Sequence, residues 1–243
     1  MIKLIRKLRK EYSGFRSKYV VEVRRQHEYI TNRYYAHLID PFFTKFFYDL
    51  GFHPNVVTML SGTLGVSAGL LITQDHLMVA ALLLQLHYLL DGADGNLARL
   101  TNQCTTFGAW LDRIFDKVVQ STLILAIAYA ADLPWPIKAV FLSTFYFDIL
   151  IVHKVILPYM RKHPLVRAPW KQWFMDRGLM PAFDIFLIYV ITSICLLFQN
   201  VEVLVGIIIV GKNLDWSYRL YECYKTSQLK VAAHPEEDGV VSK

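Results

Sequence analysis

Six apolar stretches, at residues 55–73, 77–98, 106–130, 136–157, 181–199 and 202–221, take up about half of the 243-residue chain. Each comes close to the roughly 20 residues that an α-helix needs to cross the hydrocarbon of a bilayer. A water-soluble domain of ordinary composition carries no such series, and 54% of the residues here are hydrophobic. The pattern predicts an all-α, integral membrane bundle of six transmembrane helices within residues 51–222. With 19% charged residues, 12 Gly and 9 Pro, the chain is neither a disordered segment nor a fibrous repeat. Cys104, Cys195 and Cys223 stand apart without ligand spacing, so neither a disulfide framework nor a zinc site is expected.

The net charge of +6 lies at one end. Residues 1–40 hold ten Lys and Arg against four Asp and Glu, and the rest of the chain balances. Beside apolar spans, a basic segment meets anionic lipid headgroups more simply than it meets nucleic acid, and no nucleic-acid partner is expected. Residues 1–33 form this basic segment. Residues 34–50 (YYAHLIDPFFTKFFYDL) mix aromatics with Lys45 and Asp49, break at Pro41, and suit an amphipathic helix lying along the interface. No small-residue cleavage site follows MIKLIRKLRK, so a removable signal peptide is not expected.

Loop charges set the expected orientation. One side carries the basic N-terminus, Arg99, the 158–178 loop with Arg161, Lys162, Arg167, Lys171 and Arg177, and the tail. The opposite loops, at 74–76, 131–134 and 199–201, contain no Lys or Arg. Positive residues stay inside, so both termini are expected in the cytoplasm, with 223–243 as a polar tail.

Four aspartates interrupt two adjacent spans. A charge at mid-bilayer costs about 2.5–3.5 kcal/mol on insertion scales, so such a cluster calls for a counter-ion. Asp91 and Asp94 are three residues apart at the end of the second span, and Asp112 and Asp116 are four apart at the start of the third. Each pair shares one helical face. Antiparallel helices joined by a short turn at 101–106 would bring the two faces together. Hard divalent cations such as Mg2+ or Mn2+ prefer carboxylate oxygens and share remaining positions with water and phosphate oxygens. The cluster therefore points to one or two metals and a phosphorylated ligand. A competing explanation makes Asp91 and Asp112 helix-end residues paired with Arg99 and Arg113; it accounts for single acids and not for two face-matched pairs. Gly95, Ala98 and Gly108 beside the acids leave room for a bulky ligand, although small residues also serve close helix packing. Arg99 adds a donor fork suited to a diphosphate.

The string DGADGNLAR, eight further residues, and GAWLDRIFD resemble the signature of the CDP-alcohol phosphotransferases, DxxDGxxAR followed by GxxxDxxxD. Asp91, Asp94, Gly95, Ala98, Arg99, Gly108, Asp112 and Asp116 occupy all eight signature positions. HPNVVT is similar to the family's TPNxVT, with Asn55 and Thr58 matching and His53 standing where Thr is usual. The resemblance implies cleavage of a CDP-linked donor with release of CMP and transfer of the other phosphoryl group, with its substituent, to an alcohol. It implies two Mg2+ or Mn2+ ions held by Asp91, Asp94 and Asp112, with Asp116 as general base and additional ligand. Gly95, Ala98, Arg99 and Gly108 would border the cytidine diphosphate, with Asn55 and Thr58 completing that pocket. The donor it implies is CDP-diacylglycerol, in phospholipid biosynthesis, with a soluble CDP-polyol of the CDP-inositol type as the alternative. Members of the family are often homodimers. Any donor-making enzyme is expected on a separate chain.

For the alcohol acceptor, Lys154 and Arg161 are candidates as basic residues at the end of the fourth span, where positive-inside placement explains them equally well. Asp148 and Asp184 could bond a polyol hydroxyl or satisfy a neighbouring helix. Two rival functions share the acidic helices: an intramembrane prenyltransferase, and a divalent-cation carrier that would have no use for Arg99 or the small residues.

Overall fold

The structure is a computed structural model and describes residues 2–20 and 27–233. Its elements, in order, are α1 (Ile2–Tyr19), β1 (Glu28–Tyr29), a π-helical turn (Asn32–Ala36), α2 (His37–Asp49), α3 (Pro54–Thr73), α4 (Leu77–Leu100) and α5 (Thr106–Ala130). There follow α6 (Trp135–Ile151), a second π-helical turn (Val152–Ile156), α7 (Leu157–Lys162), α8 (Pro169–Met175), β2 (Leu179–Met180), α9 (Ile185–Leu197) and α10 (Val201–Ala233).

The protein is mainly helical, and every apolar stretch read from the sequence is a helix over most of its length. Among the described residues, three helices are long and apolar enough to cross a membrane: α3, α4 and the continuous helix Trp135–Lys162. The other three depart from a simple span for visible reasons. Asp112, Arg113, Asp116 and Lys117 charge the first turns of α5, α9 has 13 residues, and α10 carries Lys212, Asp215 and Arg219. α10 also continues as helix to Ala233, beyond the expected tail boundary at 222, and the polar end 234–243 lies outside the described residues.

Residues 34–50 are helical but unbroken at Pro41, which lies inside α2. A proline there leaves the carbonyl four residues back, that of His37, without its helical donor. The Tyr12 hydroxyl of α1 fills this role, donating to the carbonyls of Leu38 at 2.9 Å and His37 at 3.3 Å. Phe15 and Phe42 pack at 4.9 Å between centroids, so α1 and α2 form one amphipathic layer. Polar side chains then join this layer to the bundle. Tyr35 donates to Gln85 at 2.8 Å, Tyr88 donates to Asn32 at 2.6 Å, and Gln85 donates on to Ser193 of α9 at 2.7 Å.

α4 runs through the centre, against α2, α3 and α9. α3 also packs closely on α5, where Gly62, Gly65 and Gly69 form a small-residue stripe of the kind that lets membrane helices approach. A Cβ at Gly65 would lie 2.6 Å from Val119 Cγ1, and one at Gly69 would lie 2.7 Å from Thr122 Cγ2. Gly65→Leu is therefore expected to push α5 away, at an overpacking cost of about 1–3 kcal/mol. A thermal unfolding midpoint in detergent equal to that of the wild type would show that this crossing is not formed.

β1 and β2 pair in parallel, Glu28 opposite Leu179 and Tyr29 opposite Met180. Gly178 stands just before β2 at φ +73°, a conformation that favours glycine, and its carbonyl accepts from Glu28 N at 3.0 Å. Together with Arg33, whose guanidinium donates to the Arg177 carbonyl at 3.0 Å, this pair pins residues 28–36 to the segment between α8 and α9.

The two in-span acids left open by the sequence have partners. Asp148 of α6 accepts from Lys212 Nζ of α10 at 2.8 Å, both side chains being buried. Asp184 caps α9, accepting from Leu187 N at 3.1 Å.

Candidate active site

The acidic residues sit well inside their helices and are not end caps. α4 continues nine residues beyond Asp91, and α5 is capped by Thr105, whose hydroxyl accepts from Gly108 N at 2.9 Å. Arg113, the supposed partner of Asp112, donates instead to the Ala109 carbonyl at 2.9 Å. The turn between α4 and α5 places Asn102 at φ 55°, a conformation Asn tolerates, and closes with Gln103 N donating to Ala98 O at 2.8 Å.

This hairpin brings the two acidic faces together. One carboxylate oxygen from each of Asp91, Asp112 and Asp116 lies within 4.8 Å of the others. Three carboxylates that close repel strongly in a partly buried setting unless a cation lies between them. A hard divalent ion with oxygen ligands fits the donor set. Asp94 is buried beside this trio and has one oxygen committed: Thr58 Oγ1 donates to Asp94 Oδ2 at 2.5 Å. Thr58, expected at the nucleotide, therefore also orients an acid.

Two cavities meet at these groups. The smaller, about 180 Å³, is lined by Asn55, Thr58, Gly95, Ala98, Arg99 and Gly108 together with Asp94 and Asp112. All six residues expected at the nucleotide thus face one space. A Cβ at Gly108 would lie 2.8 Å from Asn55 Oδ1, so any side chain there would displace Asn55. His53 replaces the usual Thr at the start of α3 without losing the cap, as its Nδ1 accepts from Asn55 N at 3.2 Å.

The larger cavity, about 850 Å³, shares Asp94, Gly95, Arg99 and Asp112 with the first and adds Asp91 and Asp116. Its far wall comes from a part of the chain where no site residue was expected: Arg16, Glu28, Asn32, Arg33, His37 and Asp40. Asp40 is 1% exposed and accepts from, or donates to, His37 Nδ1 at 3.1 Å according to protonation. Burial raises its carboxyl above the usual range, opposed by the hydrogen bond with His37 and by the charges of His37, Arg16 and Arg99. Its carboxylate rests against Gly92, where a Cβ would lie 2.8 Å from Asp40 Oδ2. The signal was legible in retrospect: Asp40, Thr44 and Phe47 share the buried face of α2, and an acid and a hydroxyl on that face need partners.

Lys154 and Arg161 are exposed and line neither cavity. The structure does not bring these acceptor candidates to the acids.

The sequence pattern of one family, CDP-alcohol phosphatidyltransferase, matches residues 52–214. Similar proteins include a "Phosphatidylinositol phosphate synthase" of Corynebacterium glutamicum, 32% identical over 52% of this chain and 56% of that protein. A "Bifunctional IPC transferase and DIPP synthase" of Aquifex aeolicus is 35% identical over 37% of this chain and 22% of that protein. A "Cardiolipin synthase (CMP-forming)" of Rattus norvegicus is 31% identical over 47% of this chain and 37% of that protein. The chain thus spans between about a fifth and just over half the length of these relatives. The match runs from just before α3 into α10 and takes in both acidic pairs, while the wall formed by Arg16, Glu28, Asn32, Arg33, His37 and Asp40 precedes it. With its apolar helices, its paired acids and a match over two thirds of its length, the chain is a membrane enzyme of the CDP-alcohol phosphatidyltransferase family.

Proposed function

We propose that the protein transfers a substituted phosphoryl group from a CDP-linked donor, CDP-diacylglycerol in the first instance, to the hydroxyl of an alcohol, releasing CMP. The observation that carries this reading is the meeting of the Asp91, Asp112 and Asp116 oxygens at the junction of the two cavities. The small cavity receives the cytidine, and Arg99 and Gly95 lie where its diphosphate passes into the larger one. Asp91, Asp94, Asp112 and Asp116 would hold two Mg2+ or Mn2+ ions. When bound, these supply positive charge for the diphosphate and for the departing CMP.

Asp116 takes the proton of the acceptor hydroxyl as its oxygen bonds to the phosphorus carrying the substituent. The bond from that phosphorus to the CMP oxygen breaks, and CMP leaves with the electron pair. Thr58 holds Asp94 in one orientation through its hydroxyl. Arg99, which donates to Asn96 Oδ1 at 2.7 Å, places a guanidinium of the kind that pairs with phosphate oxygens at the wall shared by the two cavities.

The same reading completes the topology: α3, α4, α5, the α6–α7 helix, α9 and α10 as six crossings, α2 along the interface, and both termini and the site on the cytoplasmic side. The Lys and Arg asymmetry of the loops supports this orientation.

Purified protein supplied with CDP-diacylglycerol and an alcohol is expected to release CMP. Release should stop with EDTA and return on adding Mg2+ or Mn2+ in excess. Chelator-resistant release would remove the carboxylate cluster from the mechanism, and an absence of release with lipid and soluble CDP donors alike would overturn the assignment.

A further inference from the structure

We infer that Arg16, Glu28, Asn32, Arg33, His37 and Asp40 build the acceptor subsite, and that the acceptor they fit is a small neutral polyol and not its phosphate ester. The inference rests on the transferase reading above and narrows its substrate. An acceptor hydroxyl must reach Asp116, and the larger cavity is where Asp116 is lined up with free volume. The family match supplies the near wall, with the acids and Arg99. The far wall comes from residues that precede that match.

The charge of that wall decides the ligand class. Arg16 and Arg33 contribute two positive charges, and Glu28 and Asp40 contribute two negative ones. His37 lies between the acids, with Nε2 3.7 Å from Glu28 Oε1 and Nδ1 3.1 Å from Asp40 Oδ2. Among the described residues, no lysine lines the cavity. A site for a phosphomonoester needs a clear surplus of cations, since about two negative charges enter with the ligand. Here the carboxylates of the wall would repel that group. Alternating donors and acceptors suit hydroxyls instead, because each hydroxyl both donates and accepts. One acceptor of that wall lacks a donor: among the described residues, Asp40 Oδ1 is buried without a hydrogen-bond partner, in a residue that lines the cavity. A buried acceptor left unpaired is costly, and a polyol O–H removes that cost.

The wall is also held in place, as a specificity surface must be. Arg33 is tied to the Arg177 and Gly178 carbonyls, Asn32 to Tyr88, and Glu28 N to Gly178 O. Its side chains therefore face the cavity from a fixed backbone.

The test uses the full chain in lipid nanodiscs with Mg2+, CDP-diacylglycerol in one arm and CDP-inositol in the other. Acceptors are glycerol and myo-inositol against glycerol 3-phosphate and inositol 1-phosphate. The expected kcat/KM for CMP release is at least about tenfold higher for a neutral polyol than for its phosphate ester. Asp40→Asn and Arg16→Gln should each raise the KM of the polyol about tenfold and leave the donor KM unchanged. An unchanged donor KM also reports that the variant has folded. If both variants fail to fold, the wild-type selectivity decides alone. CMP release with the phosphate esters preferred, or a donor KM that moves while the polyol KM does not, overturns this subsite and leaves the transferase reading standing. No CMP release from any donor overturns both.

Discussion

An Asp116→Asn protein is expected to bind the CDP-linked donor and to release CMP about 10²–10⁴ times more slowly than the wild type. The substitution keeps the shape of the side chain and removes its capacity to take a proton. Asp116 shares the tight acidic group with Asp91 and Asp112, so some metal affinity should also be lost. Asp94→Asn makes the informative comparison. It disturbs a residue bonded to Thr58 and shared by both cavities, so donor binding should weaken along with turnover. Single-turnover CMP release at saturating donor separates the two. If Asp116→Asn turns over at the wild-type rate, another group accepts the proton.

Lys212→Met is expected to cost a large part of the stability although it lies outside the site. Its ammonium answers the Asp148 carboxylate at 2.8 Å, with side chains 10% and 7% exposed. Removing one partner of a buried pair strands the other charge, at a cost of about 3–5 kcal/mol. The Asp148→Leu, Lys212→Met double variant removes both charges and should recover most of that loss. Unfolding midpoints of the three variants in one detergent form the double-mutant cycle. A double variant no more stable than Lys212→Met would show that the pair is not the source of the loss.

The sequence made the helices legible through hydropathy and the acidic cluster through spacing, and the family resemblance added the CDP-linked donor. Asp91 with Asp94, and Asp112 with Asp116, converge because a helix repeats every 3.6 residues, whatever surrounds it. The residues expected at the nucleotide, Asn55, Thr58, Gly95, Ala98, Arg99 and Gly108, were legible only through the family resemblance, and they line one cavity because α3 packs on α4 and α5. What stayed hidden depended on contacts between segments distant in sequence. Arg16 and Arg33 read as part of a basic tract because lipid headgroups and a cavity wall both call for arginine. Pro41 read as a break because nothing in the sequence announces that Tyr12, 25 residues before His37, would answer the stranded carbonyl. Lys154 and Arg161 were attractive by charge, yet the π-helical turn and α7 leave both exposed. Lys212 and Asp148 are 64 residues apart, and no periodicity relates them.

The parallel pairing of Glu28–Tyr29 with Leu179–Met180 joins the front of the chain to its second half through main-chain atoms. A seam made this way is indifferent to which side chains flank it. Under the acceptor reading, Arg16, Glu28, Asn32, Arg33, His37 and Asp40 can therefore change for a new alcohol without disturbing the main-chain seam that carries them.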